Sequence, residues 1–184
     1  YLDGTFADSM RVRIQEGAVE AVGADLTALP GEEVLDLQGD YLLPGFVDVP
    51  IHGYKAHGTM EGEASIRAMS RDLYEQGVAA FLPTTMSASP AETLQAVTGT
   101  RAVMASPEKR GAKVLGVHME APFLNREKAG AQRKRYFCDP TMEAMLTFTG
   151  GTLEGMRMIT LAPERDGAEA FTRAMQEAGV VVSL

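Results

Sequence analysis

The stretch LLPGFVDVPIHG, residues 42–53, marks the point at which the pattern of the sequence changes. Pro44 and Gly45 are a turn signal, and a short apolar strand pattern follows them and ends at His52. Beyond it, apolar segments alternate with amphipathic segments of helical spacing, and the strand candidates are GFVDVPI, VAAFLPTT, KVLGVHME, MRMITLAP and VVVSL. Strand then helix, repeated four times and entering a fifth strand, indicates an α/β fold with a parallel sheet and right-handed crossovers.

Two helices have readable starts. Ser89 and Glu92 have the spacing of a capping box, with a proline at the first helical position, so a helix is predicted over about residues 90–104. Asp139 and Pro140 are predicted to open another helix. Methionines on the apolar helix faces are expected to fill the core.

Two architectures fit this alternation, a doubly wound open sheet and a (β/α)8 barrel. A barrel needs eight strands and about 250 residues, whereas this chain of 184 residues only enters its fifth strand. As a barrel, residues 44–184 would hold about four and a half βα units. Residues 1–43 contain the short alternating segments RVRIQEG, AVEAVG and EEVLDLQGDYLLPG between glycines, which predicts a small β-sandwich-type segment.

The composition excludes several classes of function. The net charge is −8, which argues against a nucleic-acid surface or a basic membrane-docking face. No apolar run approaches the about 20 residues of a membrane span, and Tyr1 opens no signal peptide. The single cysteine, Cys138, excludes an intrachain disulfide and fits a reducing compartment. We therefore expect a cytoplasmic protein with no nucleic-acid or membrane partner.

Polar residues lie at the carboxyl ends of the predicted strands, where both architectures place their binding groups. Asp48, Pro50 and His52 share one face of strand one, and His118 and Glu120 share one face of strand three. Imidazole and carboxylate groups that converge are typical ligands of Zn²⁺ or Fe²⁺. A structural role remains open for both histidines, through a loop carbonyl or a satisfied core position. A carboxylate that ends an apolar strand, by contrast, needs a cation or donors.

The segment GAQRKRY, residues 130–136, is a second candidate site. Gly130 and Ala131 allow close approach to the backbone, Gln132 brings an amide, and the three basic residues favour an anion such as a phosphate. A solvated loop with a charge run explains the same residues. No phosphate-binding glycine loop and no G-x-S-x-G element is present in the sequence.

Four segments, in this order, resemble the N-acetylglucosamine-6-phosphate deacetylase family of the amidohydrolase superfamily: LLPGFVDVPIHG, LPTTMSAS, LGVHMEAPFLNREKAGAQ and ITLAPE. The third is the most specific, because it combines H-x-E-(G/A)-P-(F/W) with K-x-G-(A/T)-(Q/H). The resemblance implies the N-terminal half of a metal-dependent hydrolase (β/α)8 TIM barrel, preceded by part of a small β-domain. It also implies hydrolysis of the acetamide of N-acetylglucosamine 6-phosphate to glucosamine 6-phosphate and acetate by a metal-activated water.

The resemblance also assigns roles by position. Glu120 matches the family's metal-ligating glutamate, with His52 as a further candidate ligand and His118 lining the site. Ala131 and Gln132 match the pair that contacts the substrate. The family's general-base aspartate and two further metal-binding histidines follow later strands, so the resemblance implies no catalytic residue within this chain and predicts that the chain alone is inactive.

Two positions depart from the family pattern. Pro50 stands where many amidohydrolases carry the first histidine of H-x-H, which implies one divalent metal ion, Zn²⁺ first and Fe²⁺ or Mn²⁺ as alternatives. Ala121 replaces the glycine that usually follows the glutamate. The resemblance further implies a homodimer of the complete protein acting on an amino-sugar phosphate. Two alternatives stay open, a noncatalytic sugar-phosphate-binding half barrel and another amidohydrolase such as a cyclic amidase, against which Pro50 argues.

Overall fold

The computed structural model describes residues 1–106 and 110–184, and the chain divides into two compact units, Tyr1–Pro44 and Gly45–Leu184. The first unit contains an antiparallel hairpin of β1 (Arg11–Gln15) and β2 (Ala18–Gly23). The alternating segment EEVLDLQGDYLLPG forms no strand, and its apolar residues Val34 and Leu35 are exposed. The alternating pattern of this segment therefore did not produce a strand.

The second unit is an α/β structure. Its strands, numbered along the chain, are β3 (Phe46–Ile51), β4 (Gly53–Tyr54), β5 (His57–Gly58), β6 (Val78–Pro83), β7 (Lys113–Val114), β8 (Val117–Glu120), β9 (Met156–Thr160) and β10 (Val181–Ser183). Its helices are α1 (Glu63–Tyr74), α2 (Pro90–Ala105), α3 (Met142–Thr149) and α4 (Ala168–Glu177), with short 3₁₀ turns at Thr59–Glu61, Arg126–Lys128 and Lys134–Tyr136.

The long strands of this unit are parallel and follow one another in chain order. β3 pairs with β6, which pairs with β7, and β8 pairs with β9, which pairs with β10. A parallel bridge between Thr84 and His118 connects the two groups of strands. β4 and β5 form a small antiparallel hairpin after β3. Neighbours in sequence are thus neighbours in space, as successive βα units require.

The predicted strand KVLGVHME is interrupted, so that β7 and β8 are separate. Gly116 lies at the break with a φ of 153°, and a Cβ at this position would lie 2.7 Å from the carbonyl oxygen of Gly155. The backbone conformation and the close approach of the neighbouring chain both require glycine here. The break shifts the register between Val117 and His118, which sets the position of the polar end of β8.

Local signals explain the helix starts. Ser89 caps α2, because its hydroxyl accepts from the N–H of Glu92 while the Glu92 carboxylate accepts from the N–H of Ser89, and this confirms the predicted capping box. α3 begins at Met142, later than predicted, because Thr141 provides the N-cap. Asp139, which was expected near this start, pairs with Arg165 instead.

Two hydrophobic clusters lie between the strands and the helices. One contains Ile66, Met69, Leu73, Val78, Phe81, Ala112 and Val114, and the larger one contains Val97, Val117, Met119, Phe123, Met145, Phe148, Met156, Ile159, Leu161, Ala168, Phe171, Met175 and Val180. Met69 and Met175 are fully buried, so the core role predicted for them is confirmed. None of the helices in the described part of the chain is long and apolar enough to cross a membrane.

Candidate functional site

Hydrogen bonds at Thr84, directly after β6, hold the carboxyl ends of three strands together. The N–H of Thr84 donates to the Ile51 carbonyl at 2.9 Å, and its hydroxyl accepts from the Ile51 N–H at 3.1 Å. The next residue, Thr85, donates its N–H to the carbonyl of His118 at 3.0 Å. These bonds extend the pairing of β3, β6 and β8 to the residues that carry polar side chains.

Three side chains predicted to belong to the site, His52, Glu120 and Gln132, form one connected group, called the Glu120 cluster below. Glu120 Oε2 lies 2.9 Å from His52 Nε2, and Glu120 Oε1 accepts from Gln132 Nε2 at 3.0 Å. The His52 and Glu120 side chains are 38% and 26% exposed, so solvent reaches the carboxylate and the imidazole. The structure therefore brings the two candidate metal ligands next to a candidate substrate contact.

The backbone fixes the tautomer of His52. Its Nδ1 lies 3.1 Å from the carbonyl oxygen of Thr84, and since a carbonyl only accepts, Nδ1 carries the proton. In the neutral ring, Nε2 then turns its lone pair towards the Glu120 carboxylate. Two electron-pair donors so close repel each other unless a proton or a cation lies between them.

The chemistry of this pair fits a divalent metal ion. An imidazole nitrogen and a carboxylate oxygen are both ligands of Zn²⁺, and adjacent ligands at bond lengths of about 2.1 Å around a tetrahedral ion lie about 3.4 Å apart. The observed 2.9 Å between His52 Nε2 and Glu120 Oε2 is shorter than that separation, so the two side chains would have to move slightly apart to bind a tetrahedral ion. Within residues 1–106 and 110–184 no group of three or more His, Cys, Asp or Glu side chains converges, so this pair would offer an ion two ligands.

His118 has a different environment, called the His118 network below, which consists of Thr84, His118 and Thr160. The ring is 3% exposed; its Nδ1 lies 3.2 Å from the Thr84 hydroxyl and its Nε2 lies 2.8 Å from the Thr160 hydroxyl. Because the Thr84 hydroxyl donates to the Leu82 carbonyl, it accepts from Nδ1, and Nε2 accepts from Thr160. Burial lowers the pKa of His118 to about 4, with a smaller opposing effect of Glu120 and a further lowering by His52. The site-lining role of this neutral, fully bonded ring stays a prediction.

The loop that carries Ala131 and Gln132 is attached to the segment after β6. Gln132 is buried, and its Oε1 accepts from the N–H of Ser87 at 2.7 Å. The N–H of Arg133 donates to the Ser87 hydroxyl, while Ala131 is exposed. Sequence reasoning identified neither Ser87 nor Thr160; the position of Thr160 at the carboxyl end of β9 was the available signal for it.

Two further residues of the motif have informative surroundings. Ala121 is buried and has a φ of 62°, a left-handed conformation that favours glycine, which is the residue that the resemblance led us to expect there. In the basic run, Arg135 stacks on the Tyr136 ring with 4.7 Å between the guanidinium carbon and the ring centroid. Arg133, Lys134 and Arg135 are exposed, and an anion site there stays a prediction.

No protein-family model matches the chain. It is 32% identical over 180 residues to the N-acetylglucosamine-6-phosphate deacetylase of Lysinibacillus sphaericus, covering 96% of this chain and 46% of that protein. It is 35% identical over 159 residues to the human deacetylase of the same name, covering 83% of this chain and 38% of that protein. The chain thus spans less than half the length of the curated relatives it matches.

Solved structures of N-acetylglucosamine-6-phosphate deacetylases also resemble the chain over part of their length. The N-acetylglucosamine-6-phosphate deacetylase from Thermotoga maritima matches with a TM-score of 0.74 and 29% identity, over 94% of this chain and 42% of that one. A mutant of the Mycobacterium smegmatis enzyme, solved in complex with N-acetyl-D-glucosamine-6-phosphate, matches with a TM-score of 0.78 and 29% identity, over 94% and 44%. By sequence and by fold, the chain is a homologue of the N-acetylglucosamine-6-phosphate deacetylases over the part of their length that it spans.

Proposed function

We propose that the complete protein containing this chain is a metal-dependent amidohydrolase that converts N-acetylglucosamine 6-phosphate and water into glucosamine 6-phosphate and acetate. The observation that carries the proposal is the Glu120 cluster, in which the glutamate of the H-x-E-A-P-F motif lies between His52 and Gln132. The names of the relatives support the reaction, and the complex of the Mycobacterium smegmatis enzyme supports the substrate.

The second unit is proposed to be the first part of a (β/α)8 barrel, up to strand five of its eight strands. A small β-domain segment over residues 1–43 precedes it. Strand order that follows the chain supports this, as does the gathering of polar residues at the carboxyl strand ends. Among the described strands, β3 and β10 are the outermost strands of the two groups, and they expose Phe46 (69%) and Val181 (57%). Further strands that complete a barrel would cover both edges.

The proposed metal ligands in this chain are Glu120 and His52. Zn²⁺ is the first choice for such a nitrogen and oxygen pair, and Fe²⁺ or Mn²⁺ are also compatible. When bound, the ion supplies a Lewis acid for the amide carbonyl and a water of lowered pKa. Pro50 lies in β3, two residues before His52, and offers no ligand, which favours a single ion.

The other residues of the chain orient these ligands and meet the substrate. The Thr84 carbonyl orients His52, and Gln132 donates to the Glu120 carboxylate. Gln132, which is bonded to the carboxylate, and its neighbour Ala131 are the proposed contacts to the amino-sugar phosphate. Because two ligands are too few for a stable catalytic metal site, the chain alone is expected to release no acetate. A homodimer and a cytoplasmic location of the complete protein stay predictions.

The substitution Glu120→Gln in the complete protein tests the proposal. Glutamine keeps the size of the side chain and removes its charge, so bound metal and acetate release are expected to fall together. Glu127→Gln is the matched control, because Glu127 is an exposed carboxylate seven residues further along and outside the cluster. Metal content by mass spectrometry and acetate release are the measurements. A Glu120→Gln variant that retains both would contradict the assignment, and wild-type protein that binds the sugar phosphate without releasing acetate would favour the noncatalytic alternative.

A further inference from the structure

The two oxygens of the Glu120 carboxylate have different partners. Oε2 faces His52 Nε2 at 2.9 Å, on the partly exposed side, whereas Oε1 accepts from the side-chain amide of Gln132 at 3.0 Å. An oxygen that already accepts a hydrogen bond from a buried amide is a weaker ligand, since a metal would have to compete with that donor. The carboxylate is therefore arranged to offer one oxygen rather than two.

This arrangement depends on which way the Gln132 amide faces. Its oxygen and its nitrogen are similar in shape, so the hydrogen-bond partners determine the orientation. The backbone N–H of Ser87 can only donate, and it lies 2.7 Å from Gln132 Oε1. The amide oxygen must therefore face Ser87, and the amide nitrogen must face Glu120.

Ser87 is itself bonded to the chain next to Gln132. Its hydroxyl accepts from the N–H of Arg133, so Ser87 binds both the side chain of one residue and the backbone of the next. Ser87 and Gln132 are both buried, and a turn from the Gln132 N–H to the Ala129 carbonyl (3.0 Å) holds the loop from the other side. Two bonds from one residue fix both the position and the orientation of the amide.

We propose that Ser87 is a positioning residue for Glu120, which acts through Gln132 to keep Oε1 occupied and leave Oε2 as the single oxygen offered to a metal ion. The proposal rests on the metal assignment made above, and it adds two residues that determine how the carboxylate binds. Removal of the Ser87 hydroxyl frees the Arg133 N–H, loosens the 130–133 loop and weakens the bond from Gln132 to Glu120.

Four variants of the complete protein test this role. Ser87→Ala removes the hydroxyl, Ser87→Thr keeps it, and Gln132→Met removes the amide while keeping the length of the side chain. Ser89→Ala is the matched control, since Ser89 caps α2 two residues away and takes no part in the Glu120 cluster. Zn²⁺ affinity is measured by competition with a chromogenic chelator. Hydrogen exchange of the Gln132 side-chain amide is measured by NMR in metal-free protein.

We expect Gln132→Met and Ser87→Ala each to weaken Zn²⁺ binding by about tenfold or more, because a carboxylate that is no longer held by the Gln132 amide loses its orientation towards His52, and this loss outweighs the gain of a free Oε1. Ser87→Ala should also speed exchange of the Gln132 amide, while Ser87→Thr should have wild-type Zn²⁺ affinity and a wild-type exchange rate. Ser89→Ala should lower the melting temperature without changing the Zn²⁺ affinity or the exchange rate. Ser87→Ala with wild-type amide exchange would overturn the proposal, whatever its Zn²⁺ affinity.

The exchange measurement separates this proposal from the proposed function. It needs no metal and no substrate, so it reports on the link between Ser87 and Gln132 even if the wild-type protein proves to have no deacetylase activity. Faster exchange in Ser87→Ala, reversed in Ser87→Thr, supports the positioning role whatever the reaction is. Unchanged exchange overturns it, even if the deacetylase activity is found.

Discussion

The Glu120 cluster and the His118 network both contain a histidine near the end of a parallel strand, and Thr84 contacts both, yet the two histidines are bonded differently. Two threonine hydroxyls satisfy both nitrogens of His118, and its ring is 3% exposed. A backbone carbonyl and a carboxylate face the nitrogens of His52, whose side chain is 38% exposed. From these partners, rather than from the position along a strand, we predict that His118 stabilises the fold and that His52 binds a cation.

The electrostatics of the two rings follow from these partners. Hydroxyl groups can donate or accept, so they satisfy a neutral imidazole, and burial lowers the pKa of His118 to about 4. Its ring is therefore neutral at pH 7 and its burial requires no counter-charge. The carbonyl on Nδ1 of His52 leaves the Nε2 lone pair directed at Glu120, and this arrangement is complete only with a proton or a metal ion between the two groups.

The largest effect on stability is expected for His118→Ala. The substitution leaves a cavity and removes the ring partners of the Thr84 and Thr160 hydroxyls, which should lower the free energy of unfolding by about 3 kcal/mol. His52→Ala, at the partly exposed position, should cost less than about 1 kcal/mol and should reduce Zn²⁺ binding instead. Urea unfolding and chelator competition on the complete protein measure the two effects.

The comparison of the two histidines fails if these effects are exchanged. A stable His118→Ala variant with reduced Zn²⁺ affinity would mean that His118 is the ligand and His52 the structural residue.

Part of the candidate site and of the fold could be predicted from the sequence. The apolar strand pattern placed His52, His118 and Glu120 at carboxyl strand ends, the alternation of side chains put His118 and Glu120 on one face, and the capping box predicted the start of α2. Alternation along a strand predicts which face a side chain lies on but not how far it is buried. It therefore could not distinguish the partly exposed His52 from the buried His118. The threonines around His118 carried no distinct signal, since threonine is common in strands for its shape alone.

The break in the third predicted strand shows a second reason why sequence reasoning falls short. The apolar pattern of KVLGVHME is that of one continuous strand, whereas the close approach of Gly155 to Gly116 divides it in two. Contacts between residues distant in sequence determine such features. Ser87 was missed for the same reason, because its function depends on Gln132, which lies 45 residues further along the chain.

Thr84→Val tests whether the Glu120 cluster and the His118 network are independent of each other. The Thr84 hydroxyl accepts from the Ile51 N–H and from His118 Nδ1, so its loss should lower the free energy of unfolding by about 2 kcal/mol. The backbone carbonyl that holds His52 is unaffected, and Zn²⁺ affinity should stay at the wild-type value. A variant that unfolds as the wild type does but binds Zn²⁺ more weakly would show that the two groups are not independent.

Thr160→Val should have a smaller effect. It removes one hydrogen bond, to His118 Nε2, and keeps the side-chain shape, so we expect a loss of about 1 kcal/mol. Thr160→Ser retains the hydroxyl and is the control. Denaturant unfolding measures the loss, and nitrogen chemical shifts of the His118 ring report whether the proton remains on Nδ1. A valine variant as stable as the serine variant would mean that the Thr160 hydroxyl does not stabilise the neutral ring.

Ala121→Gly should have the smallest effect and tests the backbone beside the Glu120 cluster. Relief of the left-handed conformation stabilises by about 1 kcal/mol, and loss of a buried methyl group costs about 0.8 kcal/mol, so the two nearly cancel. Ala129→Gly is the matched control, because Ala129 is buried in the same small cluster with a φ of −63°. The Ala129→Gly variant loses a methyl group without relieving a left-handed backbone conformation, and should be destabilised by about 1 kcal/mol or more. Equal stability of the two variants in denaturant unfolding would mean that the conformation at position 121 carries no cost, and that alanine is as suitable there as glycine.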